Sequence, residues 1–247
     1  MRKLFCGLLF FTALISSAQT ADEIIEKHLV ALGGKEKLKN IASVRMSIKG
    51  QGMGMEFPVE MLTKKDGSMK TTTTIQKMKM VQAYDGNSKS GWSINPMMGD
   101  KKPQKMNEEQ VKDMQEQGGR MVSEFLDYKE SGAVAEYLGK DDMDGEEVHL
   151  IRLTKKNGNI TYYYIDVLSN LILKEKTKTK MKDKEAESET YFGNYQTFDG
   201  ITSAGTIENM FNGVTGFVIN VEKVEYNIPV DEKEFKMPSD ENTSKDK

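Results

Sequence analysis

The chain has 247 residues with 35 basic and 38 acidic side chains, a formal charge of −3, and one cysteine. Lysines and acids are interspersed, as in Lys174-Glu175-Lys176 and Lys182-Asp183-Lys184-Glu185, which reads as a solvated surface and not as a nucleic-acid groove, for which a segregated basic patch would be wanted. A single cysteine excludes a disulfide framework, so stability must come from burial, and the length suffices for one sizeable domain.

At the N-terminus Arg2 and Lys3 precede an apolar stretch over residues 4–15, followed by Ser16-Ser17-Ala18. This is the layout of a secretory signal peptide. The run is well short of the ~20 residues that a transmembrane helix needs, and no second run is long enough. Residues 1–18 are therefore expected to be removed, with Ala21 as the second cleavage choice. Loss of Arg2 and Lys3 takes the formal charge from −3 to −5. Cys6 lies inside the signal core and not at its end, where a lipid-modified cysteine would sit. The expected product is a soluble, unlipidated, periplasmic domain over residues 19–238.

The domain opens with a helix. Thr20 and Glu23 form a capping box, Ile24, Ile25, His28, Leu29 and Leu32 share one helical stripe, and Gly33-Gly34 ends it. A further helical turn is expected over 36–39. Strands are then expected over 44–49, 53–63, 69–75, 79–84, 91–94, 134–138, 148–154, 160–166, 171–178, 189–197, 206–210 and 214–226. They are punctuated by the tight-turn pairs Asp66-Gly67, Asp85-Gly86, Asp144-Gly145, Asn157-Gly158, Asp199-Gly200 and Asn212-Gly213, which points to an antiparallel meander. One helical insertion interrupts it. Asn107 can cap a helix with Glu108 and Glu109 in its first turn, Gly118-Gly119 ends that helix, and Met121, Val122, Phe125 and Leu126 suit a second short one. Residues 239–247 form a polar tail expected to be disordered.

Twelve of the 17 methionines fall between Met46 and Met121. In the second strand Met53, Met55, Phe57, Val59 and Met61 alternate with Gly54, Glu56, Pro58 and Glu60, so one face is apolar. Met69, Met78 and Met80 continue the theme. Methionine is adaptable and suits surfaces that accept variable apolar ligands; it also fills gaps in ordinary cores. The pattern alone leaves both readings open.

Catalytic signatures are missing. The sequence has no HExxH, CxxC, GxSxG or phosphate-binding glycine loop. His28 on its apolar stripe reads as a packed residue. His149 alternates with Val148 and Leu150 and is expected to face solvent. Asp142–Glu147 lacks the full register of a calcium loop and reads as a hairpin turn. Tyr162-Tyr163-Tyr164 must split across two strand faces. No cofactor, metal or enzymatic activity is expected.

Asp85-Gly86 followed by Trp92 and Asn95-Pro96, the closing segment Asp231-Glu-Lys-Glu-Phe235-Lys-Met237-Pro238, and the opening helix with Gly33-Gly34 together resemble the LolA-like superfamily. Its members are periplasmic carriers of outer-membrane lipoproteins and related lipids, and one branch is described as outer-membrane lipoprotein-sorting proteins. The resemblance implies a mainly β fold with some α, a strongly curved antiparallel sheet forming an incomplete β-barrel, with helices over its concave face. It implies an apolar cavity for lipid or lipoprotein acyl chains, and exchange with an inner-membrane transporter and an outer-membrane acceptor by a monomer. On this reading the lining comprises Met53, Met55, Phe57, Val59, Met61, Met69, Met78, Met80, Trp92, Met114 and Phe125, and residues 107–126 form a lid. The better-known carriers have a latch Arg-Pro pair where this chain has Lys65-Asp66; lysine keeps the charge but not the forked geometry. Two alternatives are a structural or interaction module whose cavity is self-filled and, beyond that, an uncharacterised hydrolase.

Overall fold

The computed structural model describes residues 19–238 apart from 53, 119–121, 182–183 and 212. The signal-peptide reading and the polar tail lie outside the described residues. Helix α1 (Ala21–Ala31) starts on the expected capping box: Thr20 Oγ1 accepts from the Glu23 amide at 3.2 Å, and Glu23 returns a carboxylate oxygen to the Thr20 amide at 3.1 Å. Its stripe of Ile24, Ile25, His28 and Leu29 is buried. Gly33 then turns the chain at φ +122°, where a Cβ would lie 2.6 Å from the Gly200 carbonyl oxygen. Only glycine fits that approach at that backbone angle. One helical turn, α2 (Lys35–Lys39), follows.

The sheet is built from β1 (Ser43–Gly52), β2 (Met55–Lys64), β3 (Met69–Ile75), β4 (Met78–Asp85), β5 (Ser90–Asn95) and β6 (Asp100–Lys105). After α3 (Glu108–Gly118) come β7 (Val134–Met143), β8 (Glu146–Thr154), β9 (Ile160–Asp166), β10 (Ile172–Met181) and β11 (Lys184–Gly193). The short hairpin β12 (Gln196–Phe198) and β13 (Ile201–Ser203) precedes β14 (Thr206–Phe211) and β15 (Val214–Tyr226). Thirteen strands form one antiparallel sheet in the order β6-β5-β4-β3-β2-β1-β15-β14-β11-β10-β9-β8-β7, and β12-β13 pair apart from it. The sheet curves without closing, so β6 and β7 are its edges. Pairing of β1 with β15 joins the first strands of the chain to the last.

Turn chemistry explains most of the hairpins. Asp144-Gly145 and Asp199-Gly200 take positive φ at both positions, as a type I′ turn requires. Asp85-Gly86 serves another purpose: a Cβ on Gly86 would lie 2.1 Å from the Asp66 carbonyl oxygen, so glycine permits two neighbouring turns to touch. The β3–β4 turn, Gln76-Lys77, also has positive φ at both residues without a glycine to signal it. Strand β6 carries Pro103, which an edge strand tolerates because one side of its backbone need not donate.

Register assigns the faces. Val44, Thr63, Met69, Tyr84 and Gly91 lie directly opposite one another across β1 to β5, and Arg45, Leu62, Lys70, Ala83 and Trp92 form the row on the other face. The first row faces the helices. In β8 and β9 the helix-facing row includes His149, Ile151, Leu153, Tyr163 and Ile165. His149 is therefore not turned to solvent as its alternation predicted. It is buried, its Nδ1 lies 3.1 Å from the Tyr137 hydroxyl, and burial pushes its pKa down. The flanking Val148 is buried too, so both strand faces are covered here and simple alternation fails.

The main core joins α1, residues 122–128, β8, β9, β1 and β15. A second core lies beneath α3, where Met114 meets Met69, Tyr84 and Met106. The opposite face of β2–β5 is covered by the closing segment, in which a 3-10 turn (Glu232–Glu234) leads into the buried Phe235. Lys64 pairs with Glu232 and with Asp66 (3.2 Å), and Lys70 with Glu234 at 2.7 Å.

Candidate functional site

A cavity of about 390 Å³ opens on the concave face. Its floor is laid by neighbouring strands: Val44 and Met46 from β1, Val221 and Tyr226 from β15, Ile207 from β14, Thr190 and Phe192 from β11, Ile172 and Glu175 from β10, and Tyr163 from β9. Its cover comes from His28 and Leu32 at the end of α1, from Val122, Ser123, Glu124 and Phe125, and from residues 201–204 of the β13 hairpin. The hairpin is tied to α1 by the Thr202 amide, which donates to the Leu32 carbonyl at 2.9 Å.

The concave floor divides into two lanes. Along β15, β1 and β2 the helix-facing positions include Val221, Ile219, Met46, Ile48, Val59 and Met61, an apolar run that ends at Thr63. Along β10, β11 and β14 they include Glu175, Thr190 and Asn209, which stand opposite one another. Asn209 Nδ2 donates to Thr190 Oγ1 at 3.1 Å. The cavity sits where the lanes meet, so it offers an apolar wall and a polar wall to one guest.

The polar groups are mostly engaged. Glu124 accepts from the Tyr163 hydroxyl at 2.5 Å and pairs with Lys155 at 2.5 Å. Tyr195 donates to the Ile172 carbonyl at 2.6 Å, and burial together with the Glu175 charge raises its phenol above its ordinary range. Tyr226 and Ser203 share a 3.0 Å hydroxyl contact, and burial pushes the Tyr226 phenol up. His28 differs. Its Nδ1 lies 2.9 Å from the Asn170 carbonyl oxygen. A carbonyl only accepts, so Nδ1 carries the proton and the neutral ring leaves Nε2 as a bare acceptor. Among the described residues Nε2 has no partner. Burial pushes the His28 pKa down to about 4, and Phe125 stacks edge-on at 5.7 Å.

The residues read as lining from the sequence fall in several places. Phe125 lines the cavity. Phe57, Val59 and Met61 are half-buried on the concave face of β2, beside it, and Met78 and Met80 are half-buried on β4. Met69 and Met114 are buried in the second core, under α3. Met55 is exposed at a hairpin end, and Met53 lies outside the described residues. Trp92 is on the wrong face for a lining residue. It pairs with Ala83, one position out of step with Tyr84, and its indole is buried against the closing segment. A one-residue difference in parity sends a side chain to the other face. Lys65 is exposed, and its ammonium donates to the Lys39 carbonyl at 2.9 Å. It therefore holds the end of α2, where a cation suits the helix dipole.

Sequence reasoning missed most of the wall, which comes from β10, β11, β14 and β15. The available signal was the spacing of Ile219 and Val221 against Asn220 and Glu222; the methionine concentration drew attention to β2–β4 instead. Among the described residues no group of three or more His, Cys, Asp or Glu is placed to hold a metal ion, and no helix is long and apolar enough to cross a membrane.

No protein-family model matches the chain, and no curated protein matches it. Solved structures do. A LolA superfamily protein from Nitrosomonas europaea superposes with a TM-score of 0.57 at 12% identity, over 89% of this chain and 98% of that one. A DUF1329 family protein from Desulfovibrio piger gives 0.58 at 12% identity, covering 87% and 97%. A lipoprotein-sorting protein domain from Vibrio parahaemolyticus, associated by its description with the outer membrane, gives 0.54 at 11% identity, covering 86% and 94%. At these identities the likeness is one of architecture: an open, curved antiparallel sheet with helices on its concave face, which is the LolA-like fold.

Proposed function

We propose that the protein is a periplasmic carrier that holds the acyl chains of a lipoprotein, or another lipid, in the concave cavity and shuttles it toward the outer membrane. An inner-membrane transporter would supply the cargo and an outer-membrane acceptor would take it, with the protein acting as a monomer. The observation that carries this reading is the cavity at the meeting of the apolar and polar lanes. Its 390 Å³ falls within the range of about 300–1,000 Å³ typical of small-ligand sites. Moving an acyl chain from water onto the apolar lane gains about 0.8 kcal/mol per methylene. That supplies affinity without any catalytic group, and the polar lane suits a headgroup or linkage. Open volume favours cargo over a self-filled structural module. A hydrolase working through a carboxylate pair would want its acids free, whereas Glu124 is held by Tyr163 and Lys155.

Native mass spectrometry of the protein purified from its own periplasm tests this, together with displacement of a fluorescent fatty-acyl probe. A lipid adduct that the probe displaces is expected. An adduct-free protein that also ignores the probe would overturn the carrier reading.

A further inference from the structure

The strand registers bring six hairpin ends to one rim of the sheet: those joining β1–β2, β3–β4, β5–β6, β8–β9, β10–β11 and β14–β15. The exposed large apolar side chains concentrate there. Met55, Phe211, Val214 and Phe217 stand on the two adjoining ends of β1–β2 and β14–β15, and Met97 and Met98 form the tip of β5–β6, Met98 being 80% exposed. The central group is continuous. A Cβ on Gly52 would lie 3.9 Å from the Phe57 ring and 3.7 Å from Phe217 Cβ, and the Phe211 ring lies 3.2 Å from the position of a Cβ on Gly216. Through Phe57, whose ring covers Gly50, this patch runs on into the apolar lane and so to the cavity. From Gly50 back to Val44 the lane spans roughly 20 Å at ~3.3 Å per residue.

Charge follows the same axis. Lys77, Lys79, Lys101 and Lys102 are exposed at the β3–β4 and β5–β6 ends, whereas Lys49 and Glu56 neutralise each other at 2.6 Å. The opposite end of the sheet carries Asp66, Asp144, Glu146, Glu147, Asp166 and Asp199, of which Asp66 is paired with Lys64 and Glu147 with Lys140, and the exposed Lys65 and Lys89, which leaves it acidic on balance. Asp100 aside, the rim thus sets a group of exposed lysines beside its exposed apolar side chains. The Gln76-Lys77 turn sharpens this. Left-handed backbone disfavours residues other than Gly, Asn and Asp, yet Lys77 occupies it at φ +67° and places a long cationic side chain at the tip.

We propose that this rim docks on the surface of a bilayer containing anionic lipid. The apolar tips enter the headgroup layer, the lysines meet lipid phosphates, and the mouth of the apolar lane faces the membrane. The proposal goes beyond the carrier reading and stands on the rim alone. The opposite end bears exposed apolar residues too, Leu168 at 90% and Val30 at 63%, but acids surround them, which disfavours an anionic surface.

The test is flotation of the processed, exported protein with vesicles of phosphatidylethanolamine and phosphatidylglycerol, and separately of phosphatidylcholine, at low and high salt. The wild type is expected to float with the anionic vesicles, less so at high salt, and poorly with phosphatidylcholine. The pair Lys77→Glu and Lys79→Glu should weaken flotation by roughly tenfold or more, as should Phe211→Ser with Val214→Ser, at an unchanged melting temperature. If the apolar pair fails to fold, the lysine pair and the salt series decide. In a second measurement the added indole of Val214→Trp should shift to the blue on anionic vesicles, and that of Leu168→Trp should not. A wild type that does not float, variants that float equally well, or a shift at Leu168→Trp alone would overturn the proposal. Fatty-acyl probe binding, measured without vesicles, stays informative in each case, so failure of docking and failure of the carrier reading are told apart.

Discussion

The indole nitrogen of Trp92 donates a 2.9 Å hydrogen bond to the carbonyl oxygen of Phe235, 143 residues further along the chain, and both side chains are buried. The bond clips the closing segment to the convex face of β5. Neither residue lines the cavity. Phe235→Ala should therefore destabilise the fold by about 3–5 kcal/mol, the cost of deleting a buried aromatic ring, without changing acyl-probe affinity in the folded protein. Denaturant unfolding and probe titration on the same variant check both halves. Trp92 is also the sole tryptophan, so intrinsic fluorescence should report undocking of the tail and stay silent when cargo binds.

His28 should give the fold an acid-sensitive component. Its folded pKa of about 4 lies below the ordinary histidine value of about 6.5, so the unfolded chain binds a proton that the folded one refuses. The stabilising effect of this neutral ring is fully present above about pH 6.5, declines as pH falls, and is gone below about pH 4, a total of about 3 kcal/mol. His28→Gln keeps a donor for the Asn170 carbonyl but does not titrate. Unfolding free energies measured across that window should fall less steeply for the variant; equal slopes would show that the histidine is not buried neutral.

Met46→Trp and Ile207→Trp test the cavity by filling it. Both positions face the concavity and are only half-buried, so a larger ring has room. Acyl-probe affinity should drop by roughly tenfold while stability changes by less than about 1.5 kcal/mol. In a close-packed core the same insertions would cost about 1–3 kcal/mol of stability. Thermal melting beside probe titration separates the two.

Hydrogen exchange tests the lid. Helix α3 is held by one small cluster through Met114 and Val111, whereas β8 and β9 lie between two strands and under α1. Amides of α3 and of residues 122–126 should exchange faster than those of β8 and β9, and should slow when lipid is bound. Equal protection, with no response to lipid, would argue against an opening cover.

How much could be read from the sequence follows from what each signal encodes. The capping box at Thr20 and Glu23 is local chemistry, and it fixed the start of α1. Alternation and Asp-Gly or Asn-Gly pairs are local too, and β3, β9 and β15 appear with the bounds they imply. Strand β6 escaped notice because Pro103 and its lysines hide a strand on an edge. The face of Trp92 escaped for a different reason: parity within a strand is local, but which parity is concave depends on the tail that covers the other side. The cavity wall depends on strands brought together from both ends of the chain, β1 beside β15 and β14 beside β11, so no single stretch of sequence could display it.

An open sheet leaves two strands with half of their backbone groups unpaired by the sheet, a template on which another chain could polymerise. Here each free edge is guarded in its own sequence. In β6 that guard is Lys101, Lys102, Pro103 and Lys105 in a strand of six residues, charges and a proline that refuse a partner strand. In β7 it is the bulge at Gly139, at φ +115°, followed by Lys140, Asp141 and Asp142. The half-barrel can thus stay unclosed, with its concavity accessible, and still resist strand addition along its edges.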